Sequence, residues 1–163
     1  MDEFVNADAI ALGLSAFRPE SAAMAAGRAM IERLGALSRG RRDFAFETTL
    51  SGRGLLARVE ALRRSGYHVH LVFLSLPSPD LALSRVAERV RQGGHDVPAH
   101  VVVRRFSAGL RNLFGHCQSG VDSWQVFDNS QPGGPALVAR QRRGQGPEIL
   151  DAEAWRVLKE QAK

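Results

Sequence analysis

The sequence predicts an α/β fold. Three observations carry this. Short apolar runs alternate with longer stretches of helical spacing, three of the runs end in polar residues, and one run, His68 to Leu76, is almost continuously apolar. That last run suits an interior parallel strand covered on both faces. At 163 residues the chain is expected to form one domain over 1–163, long enough to bury a core.

The elements follow in order. Phe4 to Asn6 is a short apolar start ending in polar Asn6 and Asp8. Pro19 to Ser38 reads as a helix, with proline in the first turn, apolar residues at helical spacing (Met24, Met30, Ile31, Leu34) and Gly40 after it. Asp43 to Thr48 is a strand with the aromatic pair Phe44 and Phe46. Ser51 is placed to cap a helix running to about Ser65, stopped by Gly66. After the His68 to Leu76 strand, Ser78-Pro79-Asp80 supplies a cap, a first-turn proline and an acid, opening a helix to about Gln92. Gly93-Gly94 breaks it, and Pro98 opens another helix to about His116. Trp124 to Asn129 is a strand, and Ala136 to Arg140 is a candidate for a last one, with a Pro-Gly-Gly-Pro turn between. Gln141 to Pro147 is a polar loop, and a C-terminal helix occupies about 151–162.

The formal charge is +5. Lys159 and Lys163 are the lysines; every other basic residue is Arg. Arg suits forked contacts to phosphate oxygens, although genomic composition bias explains part of the excess. No apolar run approaches the roughly 20 residues needed to cross a bilayer, so no membrane partner is expected. Cys117 is the single cysteine, which excludes an intrachain disulfide; an inert thiol in a reducing, cytoplasmic setting is expected.

Four constellations could carry chemistry. Asn6-Ala7-Asp8 follows a strand, where polar residues point into the ligand crevice of an open sheet and an Asp can take a proton from a hydroxyl. The bland alternative is that Asp8 caps the next turn. Glu47, Thr48, Thr49, Ser51 and Arg53 follow a second strand; a carboxylate directly after an apolar run needs a partner. Here the alternative is simple capping by Ser51. Arg85 to Arg105 places arginines on two helices joined by a Gly-Gly-His turn, the arrangement of a lid that closes positive charge over phosphates. A solvated hairpin, with arginines paired to Glu88 or Asp96, explains the same pattern. Asp128 and Asn129 end a third strand and could meet a nucleotide base or form an Asx turn. No metal site built from protein ligands is expected.

Together, FVNADAIALGLS, FAFETTLSGR, VHLVFLSLPSPDLALSRVAERVRQGGHDVP, the RRF that follows, and WQVFDNS resemble the zeta-toxin-like family of P-loop kinases. The resemblance covers nearly the whole chain up to about Arg140. It implies a three-layer α/β/α fold with a parallel sheet and an Arg-rich helical lid over about 85–105. It implies Asp8 as general base on the acceptor hydroxyl, and Asn6, Glu47, Thr48, Thr49 and Arg53 around the acceptor. Arg89, Arg91, Arg104 and Arg105 are implied as lid candidates for nucleotide phosphates, and Asp128 and Asn129 as candidates for the base. ATP and Mg2+ are the implied donor system. The acceptor is a small hydroxyl-bearing molecule; zeta toxins proper phosphorylate the nucleotide sugar UDP-N-acetylglucosamine. An antitoxin or an oligomer partner belongs to the same expectation.

The family begins with a strand and a loop of the form GxxxxGK[ST] ahead of the segment matching FVNAD. Here three residues precede Phe4, and residues 1–163 contain no such motif. The sequence therefore lacks the central strand that would lie between Asp43–Thr48 and His68–Leu76, and it is expected to be truncated, to rearrange its sheet to close the gap, or to take a strand from a partner. Such a chain is expected to be inactive as it stands. Two alternatives compete: a non-catalytic binding module on a degenerate kinase fold, and, ranked last, nucleic-acid binding through Arg41, Arg42, Arg142 and Arg143.

Overall fold

A computed structural model of the chain describes residues 3–163. It divides into two compact units, Met1–Thr48 and Thr49–Lys163.

The first unit holds β1 (Glu3–Val5), α1 (Ala7–Leu14), a 3-10 turn (Pro19–Ala22), α2 (Ala23–Arg39) and β2 (Phe44–Phe46). β1 and β2 pair in parallel, with Val5 opposite Phe46. Val5, Leu34 and Leu37 form its core, flanked by Ile10, Met30, Phe44 and Phe46. Apart from Ile10 of α1, these come from one face of α2 and from both strands, which is how a helix stripe and a strand pair bury each other's apolar sides. Arg33 of α2 also donates to the Glu3 carboxylate of β1 at 2.8 Å. The expected helix from Pro19 is present, with its first turn wound as 3-10. Helix α1 was not expected, because Asn6 and Asp8 read as a strand end. Asn6 does both jobs: it leaves β1 and caps α1.

The second unit holds α3 (Arg53–Arg64), β3 (His70–Ser75), α4 (Pro79–Arg91), α5 (Ala99–Asn112), a π turn (Leu113–Cys117), α6 (Gln118–Gly120), β4 (Ser123–Asp128), β5 (Ala136–Gln141), β6 (Glu148–Ile149) and α7 (Ala152–Gln161). Its sheet runs in the order β3-β4-β5-β6. Trp124, Val126, Val138 and Ala139 of the sheet pack with Leu110, Leu113, Trp155 and Leu158 of the helical layer. Trp124 and Trp155 stack at 5.7 Å between ring centroids. No helix among the described residues is long and apolar enough to cross a membrane.

Several expectations need correction. The sheet is not parallel throughout: β3 and β4 are parallel, whereas β4-β5 and β5-β6 are antiparallel. The physical reason is the connection. Residues 129–135 are too short for the crossover a parallel pair needs, so the Pro-Gly-Gly-Pro turn folds β5 straight back. β3 is not an interior strand. It is the end strand of its sheet, and alternate residues Val72 and Leu74 are more than half exposed, so it is not covered on both faces. That β2 and β3 belong to different sheets needs no correction, since no direct pairing of the two was expected. Ser51 does not cap α3. Gly52 occupies that position, and the Ser51 hydroxyl is instead 2.8 Å from that of Thr49. The helix from Pro98 ends at Asn112 and continues as a π turn, and β6 forms just beyond the expected polar loop.

Candidate functional site

In the first unit the parallel register brings the carboxyl ends of β1 and β2 side by side, so Asn6 and Glu47 emerge together. The Asn6 carbonyl oxygen accepts from the backbone N–H groups of Asp8 (2.7 Å) and Ala9 (3.1 Å) and so caps α1. That fixes which way the side-chain amide points. Its NH2 group donates to Glu47 Oε2 at 2.6 Å. Glu47 is further held by its backbone N–H, which donates to the Val5 carbonyl at 3.1 Å. Asp8 sits one position into α1, exposed, where the helix N-terminus favours its negative charge. Neither Asp8 nor Glu47 has an ion-pair partner among the described residues. The structure thus brings Asn6, Asp8 and Glu47 to one edge, two carboxylates and an amide facing solvent. Thr48 follows, also exposed.

In the second unit, Thr49 and Ser51 belong to a loop fastened to α5. Asn112 donates its side-chain amide to the Leu50 carbonyl at 2.7 Å. Leu50 itself has φ +55 and is buried in the core. A leucine in the left-handed region is strained, and its burial and this hydrogen bond hold it there. Gly109 lets α5 approach: a Cβ there would lie 3.0 Å from the Thr49 carbonyl oxygen. Arg53 opens α3; its side chain lies outside what the structure describes.

Helices α4 and α5 form the expected hairpin. The Ser78 hydroxyl accepts from the Leu81 N–H at 3.2 Å, and Pro79 starts α4, as the sequence signals. Gly93 has φ +87, and a Cβ on Gly94 would come 2.6 Å from Arg89 Cγ, so both glycines are required by the turn. Arg89 donates to the His95 carbonyl at 3.5 Å, spanning that turn. Arg91 is paired with Glu88, the bland alternative for that residue. Arg104 and Arg105 are exposed on α5 and carry no ion pair among the described residues.

At the end of β4, Asp128 accepts from the Ser130 N–H (2.9 Å) and hydroxyl (2.8 Å), forming the Asx turn that was the alternative to base contact. The Asn129 N–H donates to the Ser75 carbonyl at 2.9 Å, extending the β3-β4 pairing by one step. Sequence reasoning placed Arg85 only among the arginines of the hairpin and missed Asn112 and Leu50. Arg85 of α4 donates to the Ser130 carbonyl at 3.3 Å, anchoring the hairpin to this strand end. Cys117 is buried, and burial pushes its thiol up to about 11, which leaves it protonated and unreactive near neutrality.

No group of three or more His, Cys, Asp or Glu side chains that could hold a metal ion occurs among the described residues. The loop hydroxyl that holds magnesium in P-loop kinases is not encoded in residues 1–163. Among the described residues no such cluster stands at the Asn6-Asp8-Glu47 edge, and no step is derived through magnesium.

No family model matches the chain. An uncharacterized protein of Haemophilus influenzae is 28% identical over 102 residues, 63% of this chain and 73% of that protein. A solved chain from the PezAT chromosomal toxin-antitoxin system of the human pathogen Streptococcus pneumoniae is similar across 97% of this chain and 73% of its own, with a TM-score of 0.56 and 15% identity. At that identity the likeness is one of fold: this chain has a mixed α/β fold similar to that of a toxin-antitoxin system chain.

Proposed function

We propose that this chain is the body of an ATP-dependent phosphotransferase of the zeta-toxin-like type, acting on a hydroxyl of a small molecule such as a nucleotide sugar. The observation that carries this reading is the placing of Asn6, Asp8 and Glu47 at the paired carboxyl ends of two parallel strands. The crevice beyond strand ends is where open α/β sheets bind ligands. There Asp8 takes the proton from the acceptor hydroxyl, while Glu47, oriented by Asn6, accepts a second hydroxyl and fixes the acceptor's pose. The fold similarity to a toxin-antitoxin chain supports the same reading and makes an antitoxin a reasonable partner. Arg89, Arg104 and Arg105, on the α4-α5 hairpin, are the groups proposed to meet the nucleotide phosphates.

ATP binding needs the β- and γ-phosphates cradled by a Gly-rich loop and its lysine, and residues 1–163 supply neither. Calorimetry with ATP on two proteins tests the proposal: the chain as given, and the chain with a strand and GxxxxGK[ST] loop joined ahead of Phe4. The expected result is binding by the second and none by the first. Absence of binding by both sinks the kinase reading.

A second reading rests on the Asn6-Glu47 pair alone, which the two strand ends hold in place without any nucleotide. In it the chain is a non-catalytic binding module that keeps the Asn6-Glu47 edge. Acceptor binding without ATP binding in the loop-bearing protein would select it.

A further inference from the structure

At the amino-terminal ends of β3 and β4, opposite the Asp128 end of β4, lies a depression of about 440 Å³ lined by Glu60, Arg63, Arg64, His68, Asp122 and Arg143, together with Gly66 and Tyr67. We propose that it binds a small anion of the phosphate class.

The charges are unevenly committed. Arg63 is structural: it donates to the Gly120 carbonyl at 3.1 Å and pairs with Asp122 at 3.4 Å. Asp122 in turn accepts from the Val69 N–H at 2.9 Å, which fixes the start of β3. That hydrogen bond, and then the Arg63 guanidinium, hold its carboxyl below the usual carboxylate range, so it stays charged and occupied. Arg64 pairs with Glu60 one turn back at 3.1 Å, but both side chains are about two-thirds exposed. Such a pair contributes little and leaves Arg64 able to turn toward a better acceptor.

Among the described residues lining the depression, Arg143 is the exposed cation without an acid. Among the described residues its hydrogen-bonding partner is the His68 ring, with Nη1 3.0 Å from Nε2. A guanidinium can only donate, so this contact makes His68 Nε2 an acceptor and puts the ring proton on Nδ1. An imidazole is a weak substitute for an anion. With His68 neutral the lining carries three guanidinium groups against two carboxylates. A neutral imidazole can equally carry its proton on Nε2, and in that tautomer His68 becomes a donor and gives up the contact with Arg143. A phosphate oxygen between Arg143 and His68 would satisfy both donors, and the forked guanidinium geometry suits it. Glu60, Asp122 and Tyr67 are the other titratable groups facing this position. The site stands on this unit alone and is independent of the kinase reading.

The test is an NMR titration of the full chain with inorganic phosphate, following the imidazole resonances of His68. Saturable shifts with a Kd of about 1 mM or tighter are expected. Arg143→Ala should weaken it about tenfold or more. Arg142→Ala, one residue outside the lining, should leave it unchanged, and circular dichroism should show both variants folded. A parallel titration with glycerol phosphate identifies the source: tighter binding assigns the site to a phosphomonoester, equal or weaker binding to the free ion, and either upholds it. No saturation by about 20 mM phosphate, or equal weakening by the two arginine variants, overturns the proposal.

Discussion

Asn6 and Glu47 meet at 2.6 Å, and the same Asn6 side chain caps helix α1 with its other end. One amide therefore sets both the start of a helix and the pose of a carboxylate. The two roles separate by mutation. Asn6→Ala loses the cap and the Glu47 contact, and α1 should lose about 1–2 kcal/mol of stability. Asn6→Asp keeps an oxygen for the cap but sets a carboxylate against Glu47. Its destabilisation should be relieved by adding Glu47→Gln, giving a favourable coupling in the double-mutant cycle. Hydrogen exchange of the α1 amides reads the effect locally; unchanged protection in Asn6→Ala would show that the cap does not stabilise α1.

Asp8 offers a sharper separation of chemistry from structure. Its carboxylate is exposed and makes no contact that the fold uses. Asp8→Asn should therefore leave the unfolding free energy within about 0.5 kcal/mol of the parent value. In the loop-bearing protein it should lower phosphate transfer about 100-fold or more, measured with labelled ATP and a hydroxyl acceptor. Equal transfer rates would remove Asp8 from its proposed role.

What was legible in the sequence was what local chemistry fixes. Ser78-Pro79 starts α4 and Gly93-Gly94 ends it, because caps, prolines and glycines act within a few residues. The Asn6, Asp8 and Glu47 strand ends were read from the same local signals. Helix α1 was missed because Asn6 carries two signals at once, strand exit and N-cap. The Ser51 cap failed because the Thr49 hydroxyl takes it. The antiparallel β5 and β6, the Arg85-Ser130 anchor and the Asn112-Leu50 bond join residues distant in sequence, and no periodicity reports such pairings.

The Leu50 conformation gives a further prediction. Its left-handed backbone stands against strain by burial and by the Asn112 hydrogen bond. Asn112→Ala removes the hydrogen bond to the part-buried Leu50 carbonyl and should cost about 0.5–1.5 kcal/mol in urea unfolding. Leu50→Gly relieves the backbone but empties a core position, so it should still destabilise, by about 2–4 kcal/mol. A stabilised Leu50→Gly would mean that the backbone strain outweighs the packing.

Asp122 links pH to the stability of the second unit. Its carboxyl accepts from the Val69 N–H and faces Arg63, and both favour the charged form, the backbone hydrogen bond most. The folded value is thus lowered below the unfolded one of about 3.9. The sign follows: the unfolded chain binds the proton more tightly, so acid favours unfolding. The Asp122 contribution is fully present above about pH 4 and is lost as the pH falls through the lower, folded value. Asp122→Asn removes this titration while keeping an oxygen for Val69, so its unfolding midpoint should vary less steeply with pH below about pH 4 than that of the parent chain. The comparison is made by urea unfolding at a series of acidic pH values. At neutral pH the variant should be weaker by about 1 kcal/mol, because the Arg63 guanidinium loses its charged partner. Parallel pH profiles for the two proteins would show that Asp122 is not the group coupling acid to this unit, and would move that role to the other carboxylates.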